Sequence, residues 1–172
     1  MTLKPQDVLV VLQLATLKNR ATNIGFVDLS TALGLSLGAV HASFARAKNA
    51  GLIALSNNKT RTTDKLLPFL THGVPICFYA ERGEITRGIP TGIHAPILEK
   101  QALAEQADVP VVWPHPDGTV RGETLQPLYK TVPRIAKTNR DLYDLLALVD
   151  VLRAGRPKEK AAVILILEKK LA

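Results

Sequence analysis

Hydrophobic positions recur with helical period at both ends of this chain and lose that period between Val74 and Pro116. Residues 5–17 predict a first helix, with Pro5 accepted in its opening turn. Val8, Leu9, Val10, Val11, Leu12 and Leu14 make it apolar on almost every side. Such a helix packs against more than one neighbour, as core alone or as core shared with a dimer contact. Leu29, Ala32 and Leu33 then form one apolar stripe, Gly34 supplies a left-handed turn, and Ser36 stands where an N-cap is wanted. Val40, Phe44 and Ala47 are the expected inner stripe of the next helix, which Gly51 ends. That leaves Gly38, Ala39, His41, Ala42, Ser43 and Arg46 on or near its outward face.

After Ile53, the segment 54–62 reads as a hairpin turning at Asn57-Asn58, with Lys59 and Arg61 at or near its tip. Residues 64–72 predict a further helix through Leu66, Leu67 and Leu70, capped by Thr63 or Asp64, interrupted at Pro68 and closed by Gly73. In the glycine- and proline-rich middle, 76–79 and 109–113 suit extended segments and 97–107 a short helix. Phe78, Tyr79, Ile89, Ile93, Val111, Val112 and Trp113 call for burial there, so the middle is expected to be packed.

Helical period returns with Leu142, Leu145, Leu146, Val149 and Leu152, and Gly155 ends that run. Pro157 opens a last segment in which Ala161, Ile164, Leu165, Glu168 and Leu171 share a face; its branched residues leave a strand as the alternative. The fold class expected is mainly α with a small β component (α+β). The expected units are 1–73 and 74–172, the latter with an extended middle (74–123) and a helical end (124–172), either separate or packed as one.

Charge sharpens this picture. The 172 residues carry a net +7, which suits an acidic partner. Residues 1–75 hold eight Lys/Arg against three Asp/Glu, 76–123 four against seven, and 124–172 ten against five. Two basic segments thus flank an acidic one, and the first fits contact with phosphates.

The chemistry of catalysis is poorly represented. Cys77, the single cysteine, excludes an internal disulfide, and its neighbours Ile76 and Phe78 suggest a buried, inert thiol. With no signal peptide in view, a cytoplasmic location is expected. The longest apolar runs are too short to span a bilayer. His72, Cys77, His94 and His115 match no zinc spacing, and Glu81 and Glu84 beside Arg82 and Arg87 read as a charged surface loop. No catalytic residue, cofactor or metal is expected. The least generic loops hold Arg87-Gly88 and, after the turn signal Asp117-Gly118, Arg121-Gly122. A partner or ligand site on Arg87 and Arg121 is expected there.

The pieces Ala32-Leu33-Gly34-Leu35-Ser36, Val40, Arg46 and Ala50-Gly51-Leu52-Ile53 resemble the recognition unit of bacterial winged helix-turn-helix regulators. The chain as a whole is similar to a set of bacterial proteins of like length that join such a unit to a tail. The tail elements stand here at His72–Pro75, Thr86–Thr91, Trp113–Gly118 and Leu142–Asp150. This resemblance implies a transcriptional regulator, with repression its expected sense, binding double-stranded DNA as a homodimer. The expected DNA contacts are Ser36, Gly38, Ala39, His41, Ala42, Ser43 and Arg46 on the recognition helix, and Lys59 and Arg61 on the wing. Leu37-Gly38-Ala39, where relatives are polar, supports an alternative: a protein-interaction module, such as an antitoxin or a complex subunit, with little base readout.

Overall fold

The computed structural model describes residues 2–17, 24–56, 59–101 and 109–172. The chain is of the α+β class, as its pattern predicts, and divides into two units at Pro68/Phe69, against the boundary expected after Gly73.

Among the described residues, three helices, a hairpin and a closing helical turn make the first unit. Helix α1 (Pro5–Thr16) buries Val8 through Leu12 to within 1% exposure, so it is enclosed on all sides. Helix α2 (Phe26–Leu33) contributes Leu29 and Leu33 to the core. Gly34 adopts φ 62, the left-handed geometry that a β-carbon would penalise, and turns the chain. Ser36 then caps α3 (Leu37–Asn49) by accepting from the Ala39 N–H at 3.2 Å. Strands β1 (Ile53–Ser56) and β2 (Lys59–Thr62) pair antiparallel, Ala54 opposite Arg61 and Ser56 opposite Lys59. The Asn57-Asn58 turn lies outside the described residues.

Around Pro68 the expected helix takes another form. One α turn (α4, Leu66–Pro68) is followed by a π-helical turn, Phe69–Gly73, and then by α5 (Val74–Cys77). Proline cannot donate to an i−4 carbonyl, and a widened turn is one way a helix absorbs that loss. Gly73 does not close the helix; it keeps right-handed geometry, and Pro75 sits in the next first turn. Residues 76–77 are therefore helical rather than extended. Cys77 is exposed, not buried, as is Tyr79, while Phe78 is only half-buried.

The second unit is built on three strands closed into a small barrel: β3 (Arg82–Pro90), β4 (Val111–Pro114) and β5 (Val120–Leu125). Strand β3 runs antiparallel to both others, and β4 and β5 pair parallel. So tight a closure needs backbones to touch, and glycine alone permits it. A β-carbon on Gly88 would strike the Trp113 carbonyl, one on Gly118 the Gly88 backbone, and one on Gly122 the Pro110 carbonyl. A short 3-10 turn, Gly92–His94, precedes a second, Pro96–Gln101, which stands where the start of a helix over 97–107 is expected; residues 102–107 lie outside the described set.

Helices α6 (Val132–Thr138), α7 (Arg140–Ala154) and α8 (Pro157–Leu171) follow. Asn139 caps α7 by accepting from the Leu142 N–H at 3.1 Å. The final segment is helix throughout, but its inner stripe is Glu159, Val163 and Leu167, while Ala161, Leu165 and Glu168 face outward. Among the described residues no helix is long and apolar enough to cross a membrane.

One polar cluster ties α7 to the barrel. Asp150, buried on all sides, accepts from Thr91 Oγ1 at 2.9 Å, from Trp113 Nε1 at 2.6 Å and from Arg153 Nη1 at 2.6 Å. Burial pushes its carboxyl up in pKa, against the pull of Arg153 and of the Thr91 and Trp113 donors. Arg153 donates further to the carbonyls of Phe78, Gln126 and Tyr79. Nearby, the Tyr143 hydroxyl donates to the Pro90 carbonyl at 2.6 Å, and burial pushes its phenol up to about 12.

A folded state that holds a phenol protonated loses stability wherever the unfolded chain has released that proton. Stability should thus fall as pH rises from the ordinary tyrosine value of about 10 towards about 12. Tyr143→Phe should remove that alkaline slope and lower neutral stability by about 1 kcal/mol through the lost hydrogen bond. Denaturant titrations of both proteins across that pH range check it; an unchanged slope in the variant would assign it elsewhere.

Candidate nucleic-acid interface

Helix α3 presents Leu37, Gly38, His41, Ala42, Ala45, Lys48 and Asn49 outward. Gly38 has open space where a β-carbon would stand. Ala39 is half-buried at the stripe's edge, and the Ser36 hydroxyl is occupied as the helix cap. His41 is exposed and leans on the Phe26 ring, centroids 4.2 Å apart; Phe26 in turn meets Phe44 edge-on at 5.1 Å. The α2–α3 aromatic stack thereby fixes the imidazole's direction.

Two expected contacts are not on this face. Ser43 is fully buried, and Arg46 is turned back onto α1. The Arg46 guanidinium grips the Asp7 carboxylate in a two-pronged pair, Nε to Oδ2 at 2.8 Å and Nη2 to Oδ1 at 2.7 Å. Asp7 has no exposure, and the Arg46 side chain retains 11%. That pairing holds the guanidinium pKa above its ordinary value. Ser43 completes the seam, with Arg46 Nη2 at 3.2 Å and Gln6 Nε2 at 3.4 Å from its hydroxyl. The reason for Ser43 is geometric: it falls three residues after Val40 and four before Ala47, both wholly buried, so the helical period carries it inside.

The hairpin keeps its expected cations. Lys59 and Arg61 are both exposed, two residues apart on β2, and so on one face of it. Their cross-strand neighbours, Ser56 and Ala54, are small, which leaves both side chains uncovered from that strand. No Asp or Glu occurs between Asp28 and Asp64. The outward stripe of α3 and the hairpin therefore display Lys48, Lys59 and Arg61 with no acid interleaved. Lys48 and Asn49 were missed in the sequence; extending the outward positions Gly38, His41 and Ala45 by one helical turn reaches both.

In the second unit, Arg87 and Arg121 are brought together, directly opposite on β3 and β5, both exposed. A separate cleft of about 140 Å³ is lined by Arg82, His94, Glu123, Asp150, Arg156 and Glu159, among others. Its polar groups serve the fold. Arg82 pairs with Glu123 and donates to the Ala154 carbonyl, and Glu159 accepts from the Arg156 N–H at 2.7 Å. His94 Nδ1 accepts from the Val111 N–H at 3.2 Å. Among the described residues no group of three His, Cys, Asp or Glu side chains converges as a metal site. No family model, no curated protein and no solved structure matches this chain.

Proposed function

We propose that the first unit binds double-stranded DNA, and that the protein is a cytoplasmic transcriptional regulator, a repressor, acting as a homodimer. The observation that carries this reading is the exposure of Lys48 on α3 and of Lys59 and Arg61 on β2, in a stretch from Asp28 to Asp64 that holds no acid between those two. The element order supports it: a helix-turn-helix followed by an antiparallel hairpin is the arrangement that places one helix in the major groove and a wing on flanking backbone. Leu37, Gly38, Ala42 and Ala45 allow close approach and contact with thymine methyls, while Asn49 and His41 are the polar groups left for base edges. Affinity then comes mainly from phosphates and sequence preference from few side chains. Two-fold pairing doubles a short site.

A duplex titration at several salt concentrations tests this. Lys59→Gln with Arg61→Gln should weaken binding to all sequences alike and reduce the salt slope by about 2. Asn49→Ala should relax sequence preference with little change in that slope. Binding that ignores salt, or no binding, would sink the DNA reading. The second reading, a protein-interaction module such as an antitoxin or complex subunit, is favoured by the exposed apolar side chains of this unit. Val27, Leu37 and Leu55 stand 65%, 44% and 53% exposed.

A further inference from the structure

We propose that Arg87 and Arg121 form a phosphate-binding clamp on the outer face of the β3–β5 ladder. The site belongs to the second unit and stands independently of the DNA reading of the first. Residues directly opposite in an antiparallel pair project from the same face, with β-carbons about 5 Å apart. The two side chains thus leave the ladder side by side, within reach of one anion.

Among the described residues neither side chain has a hydrogen-bond or ion-pair partner, and two nearby acids are engaged elsewhere. Glu123, next along the same face of β5, is paired with Arg82. Asp117, in the turn before β5, is paired with Lys137 at 2.6 Å, which holds its carboxyl below the ordinary range. Like charges set directly opposite on a ladder disfavour the fold. An anion accepting from both forks reverses the sign of that interaction, and two facing guanidiniums match the oxygens and double charge of a phosphate group. The source is a phosphorylated small molecule or a nucleic-acid backbone, which share this chemistry.

The test compares the intact chain with its Arg87→Gln/Arg121→Gln variant. Inorganic pyrophosphate is titrated by calorimetry at ionic strength matched with sodium chloride, and thermal melting is followed with and without it. The expected result is pyrophosphate binding that falls about tenfold or more in the variant, from loss of charge-assisted hydrogen bonds. Pyrophosphate should raise the melting temperature of the parent alone. Without pyrophosphate the variant should melt no lower than the parent, because a repulsion has been removed; a purely structural pair would lower it. A duplex titration in the Lys59→Gln/Arg61→Gln background separates the sources. A further loss of affinity on removing Arg87 and Arg121 assigns a nucleic-acid backbone, and no loss assigns a small phosphorylated ligand. Equal pyrophosphate response in both proteins overturns the clamp, whatever the fate of the DNA reading.

Discussion

Replacing Asp7 by alanine should cost the first unit about 3–5 kcal/mol, the usual result of removing one partner from a buried ion pair. The carboxylate has no exposure and accepts three bonds, from Arg46 Nε and Nη2 and from the Lys4 N–H at 2.8 Å. Without it the Arg46 guanidinium, 11% exposed, keeps only Ser43 as a side-chain acceptor, and α1 loses the group that receives the Lys4 amide. Arg46→Ala should cost a similar amount, since it strands a carboxylate in the core. Replacing both together, Asp7→Leu with Arg46→Met, should recover most of the loss, because apolar substitutes of like size need no solvation. Chemical denaturation followed by circular dichroism measures all three.

The double variant has a second use. If Arg46 supports the fold rather than touching DNA, the double variant should bind duplex as the parent does. Loss of binding at unchanged stability would return Arg46 to the interface. Arg46→Ala alone cannot distinguish these roles, since it disturbs α1 against α3.

Asp150→Ala should be as damaging in the second unit, again about 3–5 kcal/mol. The carboxylate gathers Thr91, Trp113 and Arg153, and Arg153, with 3% side-chain exposure, then reaches three carbonyls beyond it. Removing the acid leaves a buried cation without its counter-charge, and an indole N–H and a hydroxyl without their acceptor. Asp150→Asn should recover only part, since one amide oxygen can still serve Thr91 and Trp113 while its NH2 opposes Arg153 Nη1. Trp113 is the single tryptophan, so its fluorescence reports this unit's unfolding directly. A transition midpoint in Asp150→Ala equal to that of the parent would mean that the cluster is ornamental.

Strongly periodic elements were legible in the sequence: α1, α2, the Gly34 turn, α3 and α7 stand where their apolar spacing predicts. The faces of helices were less so. Ser43 and Arg46 look outward by residue type, and what draws Arg46 inward is Asp7, 39 residues away, a pairing that no local pattern encodes. In α8, the stripe expected through Ala161, Ile164, Leu165, Glu168 and Leu171 is not the inner one, because apolar residues lie on several sides of the helix and packing buries Val163 and Leu167 instead. Strand β3 was missed because Arg82–Ile85 are exposed, so no inward-outward alternation marks its first half. Of the candidate site, the hairpin cations and the residues Arg87 and Arg121 were named from motifs, whereas their placement opposite each other came only with the β3–β5 register, and Lys48 and Asn49 emerged only once α3 had been turned to its observed face.

The glycine interlock of the barrel bears on how this chain can vary over generations. The space a side chain would need at Gly88 is filled by the Trp113 backbone, and that at Gly118 by Gly88 itself. Neither position can accept a change alone, so drift at these sites requires the strands to move apart together. Arg87 and Arg121, one residue from Gly88 and Gly122, are free of that restraint and can be exchanged singly. In a lineage descending from this sequence, the glycines preserve the frame, and the arginines record whether the frame is still in use.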